Sequence, residues 1–245
     1  MSKIQDYTSK IWDDVYSDYE QGENVGNIYP NEPLVRIVST QRKNFSLEKY
    51  YEDKGTEFSD KNHFNGSALE IGFGTVANLQ MVREKGYQPV YGIEVSHEAV
   101  KRGISKLNKS GYKDITLSHW KPTQLDFEDN TFSLVYGLQC IYYNIELEEV
   151  IKEVKRVLKP GGLFAFSFFS NKSGYLKYID IVDGDLVKWS DDHPNSRLRG
   201  AYFRQAKDKS SLKTFFKDFK EVKVFTEESD FSPMFHSWWY IQGIK

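Results

Sequence analysis

Short apolar runs alternate with amphipathic segments between residue 65 and about residue 170. The runs SALEIGF, PVYGIEV, FSLVYGL and LFAFSFF are typical of buried strands. The segment 146–158 instead repeats apolar residues at helical spacing, namely Leu147, Val150, Ile151, Val154, Val157 and Leu158. We expect this helix to stop at the Lys159–Gly162 turn and to carry a Glu148–Lys152 pair on its outer face. Strands and helices in this order predict a parallel sheet with helices on both faces.

The chain on either side of this region has a different pattern. Residues 1–64 are polar and aromatic, with a turn or helix start at Pro30 and Pro33, and we expect them to form a helical cap on a domain of residues 65–245. Residues 171–209 look irregular and carry many turn residues and both charges. Such an insertion usually forms a lid or binding segment, so we assign it to the substrate side. A helix over 210–219 and a final strand pair complete the prediction.

Composition and charge narrow the class of protein. The 245 residues suit one large domain with an elaborated lid, and the net charge of −2 offers no positive field for nucleic acid or an anionic membrane. Cys140 is the single cysteine, which excludes an intramolecular disulfide and a cysteine-clustered metal site. The longest apolar runs are too short to span a bilayer, and the first residues lack the apolar core of a signal peptide. We therefore predict a cytoplasmic protein without a metal, membrane or nucleic-acid partner.

The candidate chemistry lies where the first strand turns into a helix. Gly72 and Gly74 follow Glu70 at this turn, where glycine lets the backbone approach a ligand and free helix N–H groups point outward. Glu94 ends the next predicted strand, where a carboxylate can accept hydrogen bonds from both hydroxyls of a ribose. These features indicate a nucleoside-binding site. They also fit a nicotinamide-dependent enzyme, in whose glycine motif Ala77 would take the third place.

Four motifs in order resemble the class I S-adenosylmethionine-dependent methyltransferases over about residues 65–170: ALEIGFG, YGIEVS, LDFEDNTFSLVYGLQCIYYN and VLKPGGLFAFS. The resemblance implies a Rossmann-like, mostly parallel seven-stranded sheet with helices on both faces, a reversed C-terminal β-hairpin, an N-terminal helical cover and an insertion after strand five. It also implies S-adenosylmethionine as cofactor and in-line methyl transfer with S-adenosylhomocysteine as product. The last two motifs favour this family over a nicotinamide-dependent oxidoreductase. A non-catalytic S-adenosylmethionine-binding regulator is the other alternative.

The resemblance also implies which residues contact the cofactor. They are Glu70, Gly72, Phe73, Gly74 and Asn78 at the first turn, Glu94 and Val95 after the second strand, Trp120 and Lys121 beside the adenine, and Leu138 and Gln139 after the fourth strand. Trp12, Tyr16, Tyr19 and Tyr29 are candidates for an aromatic cover, although Trp12, Tyr16 and Tyr19 also have the spacing of a plain amphipathic helix. The sequence departs from the family at Val76, which replaces a third glycine and requires a wider helix approach.

The acceptor side is less defined. His193 in the insertion is our acid/base candidate, and Tyr143 is the second catalytic candidate because the family places groups that face the methyl donor after strand four. We expect only one of Tyr142 and Tyr143 to pack in the core, and assign Tyr142 to the substrate. Arg197 and Arg199 can clamp an anion or pair with neighbouring aspartates in solvent. The prediction is O- or N-methylation of a small polar acceptor, with a phosphorylated or sugar-derived one favoured, by a monomer or homodimer.

Overall fold

The computed structural model describes residues 3–17, 30–39, 66–230 and 235–245. The helices are α1 (Lys3–Ser17), α2 (Glu32–Ser39), α3 (Ala77–Glu84), α4 (His97–Lys109), α5 (Leu147–Val157) and α6 (Lys209–Phe215). The strands are β1 (Ala68–Ile71), β2 (Val90–Glu94), β3 (Ile115–His119), β4 (Phe132–Gly137), β5 (Leu158–Phe169), β6 (Ile179–Asp183), β7 (Leu186–Trp189), β8 (Tyr202–Arg204), β9 (Lys220–Ser229) and β10 (His236–Ile244).

Seven of these strands form one sheet in the order β3-β2-β1-β4-β5-β10-β9. Strands β1 to β5 are parallel, whereas β10 runs antiparallel to both β5 and β9. The prediction of a mostly parallel, Rossmann-like sheet closed by a reversed hairpin is confirmed. The strand order reverses between β1 and β4, and the carboxyl ends of strands at such a switch point form the usual ligand crevice of an open α/β sheet.

The apolar runs form the centre of this sheet because parallel strands are covered on both faces. All four residues of β1 are buried, and Leu134, Val135, Phe164 and Phe166 are fully inaccessible. Helix α5 buries the predicted apolar face against the sheet. Its outer ion pair differs from the prediction, because Lys152 Nζ lies 2.6 Å from Glu149 Oε1, three residues earlier, rather than pairing with Glu148.

Helix α5 ends within one residue of its predicted position, whereas α6 ends earlier than predicted. Helix α5 stops at Val157, next to the predicted turn, but the segment Lys159–Gly162 joins strand β5 instead of remaining a free turn. The reason is pairing with the chain's last residue, because Gly161 N donates to Lys245 O and Lys245 N donates to Gly162 O. Helix α6 ends at Phe215, four residues before the predicted end.

The prediction that the insertion is irregular is wrong. The insertion contains an antiparallel sheet in the order β6-β7-β8. Its strands have only five, four and three residues, too few for a pattern that stands out in the sequence. The buried side chains Val187, Trp189 and Phe203 face the main domain. The Trp189 and Phe203 rings lie 5.3 and 5.9 Å from Phe169 at the end of β5. Burial of this aromatic face attaches the insertion to the main sheet.

Helix α1 confirms the predicted N-terminal cover and connects the main domain to the insertion. Ser96 Oγ donates to Asp13 Oδ1 at 2.8 Å, which holds α1 at the end of β2. The backbone N–H of Tyr202, in β8, donates to Thr8 Oγ1 on α1. The boundary between a cap of 1–64 and a domain of 65–245 stays a prediction, and much of that cap lies outside the described residues. None of the described helices has the length and apolar character needed to cross a membrane.

Candidate active site

A cavity of about 250 Å³ lies beneath α1 at the carboxyl ends of β1, β2 and β4. Its lining residues come from α1, from the residue before α2, from the end of β1 and the turn after it, from the start of α3, from the ends of β2 and β3 and from the segment after β4: Gln5, Thr8, Ser9, Trp12, Tyr16, Asn31, Ile71, Gly72, Phe73, Gly74, Thr75, Ala77, Asn78, Glu94, Val95, Trp120, Leu138, Gln139, Cys140, Tyr143 and Asn144. Most of the predicted cofactor contacts therefore meet at the switch point of the sheet.

The turn after β1 requires its two glycines. Gly72 and Gly74 have φ angles of 72° and 52°, in the left-handed region that favours glycine. A Cβ on Gly72 would lie 2.6 Å from Cys140 Cβ, and a Cβ on Gly74 would lie 2.7 Å from the Tyr16 hydroxyl oxygen. The backbone thus forms a close-fitting wall under α1, which no larger residue could form at these positions.

Val76 is accommodated by an unusual backbone conformation. Its φ of 63° is left-handed, which is rare for a β-branched residue, and its side chain is fully buried at the start of α3. The backbone N–H of Val76 donates to Phe73 O at 3.2 Å. The place of the family's third glycine is therefore marked by a glycine-like conformation rather than by a glycine.

Glu94 is a buried carboxylate at the cavity wall, with 5% of its surface exposed. Oε2 accepts from Gly74 N at 3.2 Å, and Oε1 accepts from Val95 N at 2.7 Å and from Ser96 N at 3.4 Å. Burial raises the pKa of Glu94 to about 6, against the opposing effect of these three backbone donors. The group is thus largely ionised at neutral pH, and it can accept hydrogen bonds from hydroxyl groups of a bound molecule.

Glu70 lies behind the cavity wall rather than in it. Its Oε1 accepts from Asn78 Nδ2 at 2.9 Å and its Oε2 from the Tyr136 hydroxyl at 3.2 Å. Burial is the main cause that raises the pKa of Glu70 to about 8, and the nearby Glu94 carboxylate adds to the shift. Glu70 therefore orients Asn78, which lines the cavity itself.

The predicted adenine side is only partly at the cavity. Val95 and Trp120 line it, and Trp120 is held by the hydrogen bond from its Nε1 to Gln124 O at 2.9 Å. Lys121 is exposed and does not line the cavity. On the opposite side, Leu138 and Gln139 do line it, and Gln139 N donates to Ser167 Oγ at 2.7 Å.

Tyr143 borders the cavity while Tyr142 does not, yet both side chains are buried. The expectation that only one of them packs in the core is wrong, because they lie in a 3₁₀ turn, Ile141–Tyr143, instead of an extended segment. The Tyr143 hydroxyl oxygen accepts from Trp189 Nε1 at 3.0 Å, and the Trp12 ring meets the Tyr143 ring edge-on at 5.0 Å. Burial raises the pKa of Tyr143 to about 12, so its hydroxyl stays protonated at neutral pH.

The structure places the predicted acid/base and anion-binding residues away from the cavity. His193 is buried in the turn after β7, where its Nδ1 lies 3.0 Å from Asn195 O, and burial lowers its pKa. Arg199 Nε donates to His193 O at 2.9 Å. None of His193, Arg197 and Arg199 lines the cavity. Tyr29 lies outside the described residues.

Several lining residues were not predicted from the sequence. They are Gln5, Thr8 and Ser9 on α1, together with Asn31, Ile71, Thr75, Ala77, Cys140 and Asn144. Trp12 lines the cavity as a predicted member of the aromatic cover, and Tyr19 lies outside the described residues. The α1 residues share one helix face with Tyr16, since they recur at spacings of three and four. That spacing was visible, but polar side chains on a helix face are ordinarily solvated, so nothing distinguished them as a wall.

Known proteins share both the sequence motifs and the fold. Residues 69–166 match the family model of a methyltransferase domain. The chain is 28% identical to a demethylmenaquinone methyltransferase of Bacillus pumilus (strain SAFR-032) over 70% of this chain and 69% of that protein. It is 30% identical to a phosphatidylethanolamine N-methyltransferase of Cereibacter sphaeroides over 47% of this chain and 57% of that protein.

Two solved structures illustrate the shared fold. A SAM-dependent methyltransferase from Methanosarcina mazei superposes with a TM-score of 0.59 at 19% identity, covering 82% of this chain and 99% of that one. The phosphoethanolamine N-methyltransferase 2 of Haemonchus contortus, solved with S-adenosyl-L-methionine, gives a TM-score of 0.64 at 14% identity, covering 100% of this chain and 60% of that one. The sheet order, the glycine turn and the matched sequence agree: residues 69–166 form a methyltransferase domain, and the chain has the fold of the class I S-adenosylmethionine-dependent methyltransferases, whose cofactor is S-adenosylmethionine.

Proposed function

We propose that this chain transfers the methyl group of S-adenosylmethionine to a small polar acceptor bound in the cavity under α1, with S-adenosylhomocysteine as product. The observation that carries the proposal is the Glu94 carboxylate, which is buried at the cavity wall beside the Gly72–Gly74 turn. A carboxylate at this place suits the two hydroxyls of a ribose. The glycine turn suits the rest of the cofactor, because Gly72 and Gly74 line the cavity and glycine lets the backbone approach a ligand closely.

The proposed cofactor contacts follow the cavity wall. Glu94 binds the ribose hydroxyls, Val95 and Trp120 border the adenine, and Asn78 lies on the side of the methionine end. The remaining proposed contacts are Gly72, Phe73, Gly74, Leu138, Gln139 and Tyr16. Glu70 acts through Asn78, since it holds the amide group by the 2.9 Å hydrogen bond. Contacts from Lys121 and Tyr29 stay predictions.

The cofactor supplies an electrophilic methyl group on a sulfonium. The chain holds donor and acceptor in line, which is the main contribution to rate acceleration in a displacement of this kind. It also keeps water out of the site. Helix α1 covers the cavity, and Trp12 and Tyr143 form an aromatic wall on the side of β4. An acceptor with a hydroxyl group must also lose a proton, whereas a neutral amine attacks without prior proton removal.

An uncharged or cationic acceptor is favoured over an anionic one. Among the described residues that line the cavity, Glu94 is the only one with a formal charge, and no lysine, arginine or histidine belongs to the wall. The relatives named above differ in their acceptors, a quinone precursor and a phospholipid, so they do not select one. A phosphorylated or sugar-derived acceptor, the catalytic role of His193, the cytoplasmic location and the oligomeric state stay predictions.

Calorimetry with S-adenosylmethionine and S-adenosylhomocysteine tests the proposal first. We expect both to bind the folded protein, and we expect labelled methyl groups to reach a small molecule when a cell extract is added. Binding without any labelled product would favour the non-catalytic regulator. If NAD raises the melting temperature and S-adenosylhomocysteine does not, the chain is an oxidoreductase instead.

A further inference from the structure

Asn31 joins the N-terminal cap to the cavity wall. It lies directly before α2, and its carbonyl oxygen accepts from Val35 N at 3.1 Å, the first hydrogen bond of that helix. Its own N–H donates to Asn78 Oδ1 at 2.8 Å. Both bonds use the backbone of Asn31, so they leave its side chain, which lines the cavity, available for other partners.

The side-chain oxygen of Asn31 has no hydrogen-bond partner among the residues that the structure describes. This Oδ1 atom is buried. The Tyr240 hydroxyl donates to Glu227 and accepts from the Asn31 amide, which directs the nitrogen of the amide toward Tyr240 and the oxygen away from it. A buried acceptor without a donor is costly in free energy and rare in native proteins, so a donor group of a ligand in the cavity would gain a strong hydrogen bond here.

The neighbouring groups indicate that this donor is positively charged. Asn78 uses its Oδ1 for Asn31 N and its Nδ2 for the Glu70 carboxylate. Glu70 is 1% exposed, and no lysine, arginine or histidine of the described residues forms an ion pair with it. Glu70, whose pKa is raised to about 8, stays protonated behind the wall at neutral pH and adds no charge there. The only charge on the described part of the wall is the negative one of Glu94, and no described lysine, arginine or histidine lines the cavity. An ammonium group is the complement, since it has three donors and no acceptor.

We infer that Asn31 Oδ1 accepts a hydrogen bond from the α-ammonium group at the methionine end of the cofactor. The inference rests on the proposed function, since it assumes that the cofactor occupies this cavity. It makes Asn31 a cofactor-binding residue that lies outside the glycine turn and the strand ends. It also couples the cap to the cofactor, because the residue that binds the ammonium group begins α2.

Two ligands separate this contact from a general loss of structure. S-adenosylhomocysteine carries the amino acid end, whereas 5′-methylthioadenosine has the same adenosine and thioether without it. The variants are Asn31→Ser and Asn31→Ala, and serine is itself a favoured residue before a helix, so α2 keeps its start. Glu32→Gln is the matched control, since it changes the exposed neighbour and leaves the Asn31 amide intact.

We expect Asn31→Ser and Asn31→Ala to raise the Kd of S-adenosylhomocysteine about tenfold or more, the size of a lost hydrogen bond to a charged group. The Kd of 5′-methylthioadenosine should stay within about twofold in both variants, and Glu32→Gln should change neither ligand. Equal losses for both ligands, or no loss for either, would overturn the inference. If the unchanged protein binds neither ligand, the proposed function itself fails.

Discussion

Glu94 Oε2 lies 3.2 Å from the backbone nitrogen of Gly74, so the carboxylate that ends β2 is hydrogen-bonded to the glycine turn that follows β1. Parallel neighbouring strands bring their carboxyl ends to the same edge of the sheet, which explains why residues 20 positions apart in the chain meet here. The bond holds the carboxylate against the turn at the edge of the cavity.

Replacement of this carboxylate tests the proposed ribose contact. Glu94→Gln replaces one of the two acceptor oxygens by an NH₂ group, which cannot accept a hydrogen bond. If this NH₂ group faces Gly74 N–H, the two donors repel each other. We expect the Kd of S-adenosylhomocysteine to rise about tenfold to a hundredfold, measured by calorimetry. Asp191→Asn, an exposed acid in the insertion, serves as the control and should bind as the unchanged protein does. Equal affinity in Glu94→Gln would exclude the ribose contact.

The pKa of Glu70 predicts how stability depends on pH in the absence of ligand. Burial raises this pKa to about 8 from 4.5, so the folded state holds a proton that the unfolded state releases. The stability linked to Glu70 is therefore fully present below pH 4.5 and is lost as the pH rises through about 8. Glu70→Gln carries no such proton.

We expect the melting temperature of the unchanged protein to fall relative to that of Glu70→Gln between pH 5 and pH 8, as followed by circular dichroism. Glu94, whose pKa is raised to about 6, is present in both proteins, so the comparison isolates the titration of Glu70 together with its coupling to Glu94. Parallel curves over this range would show that Glu70 is ionised in the folded protein at low pH.

The hydrogen bond from Trp189 to Tyr143 predicts that the insertion affects methyl transfer to the acceptor and does not affect the affinity for the cofactor. Trp189→Phe removes the indole N–H and part of the buried ring, and we expect a loss of about 2 kcal/mol or more in the free energy of unfolding, from the hydrogen bond and the cavity together. Methyl transfer to extract components should decrease, because the Tyr143 ring at the cavity is less firmly held. The Kd of S-adenosylhomocysteine should remain unchanged, and a comparable loss of cofactor affinity would contradict this division of roles.

Replacement of Arg199 distinguishes a role in binding an anionic acceptor from a structural role. Its guanidinium group donates to the His193 carbonyl, outside the cavity wall. We expect Arg199→Ala to lower the melting temperature and to leave the KM for the acceptor unchanged once an acceptor is identified. A strongly raised KM with an unchanged melting temperature would instead support the clamp that the sequence suggested for Arg197 and Arg199.

Much of the main sheet could be predicted because its signals are local. The apolar runs that became β1, β2, β4 and β5 are short and bounded by turn residues, and α5 repeats its apolar positions at helical spacing. Glu94 and the glycine turn could be placed together because strand ends of a parallel sheet meet at one edge. The small sheet β6-β7-β8 was missed, since strands of three to five residues carry too little pattern.

The sequence alone determined the parallel sheet, the glycine turn and the acidic residue that ends β2, because each depends on residues close together in the chain or on the fixed geometry of neighbouring strands. Only the tertiary structure decided that Gln5 and Thr8 of α1 line the cavity, that Trp189 holds Tyr143, and that Asn31 Oδ1 has no hydrogen-bond partner among the described residues. These relationships join residues far apart in the chain. They result from packing between elements, which leaves no periodic signal in the sequence.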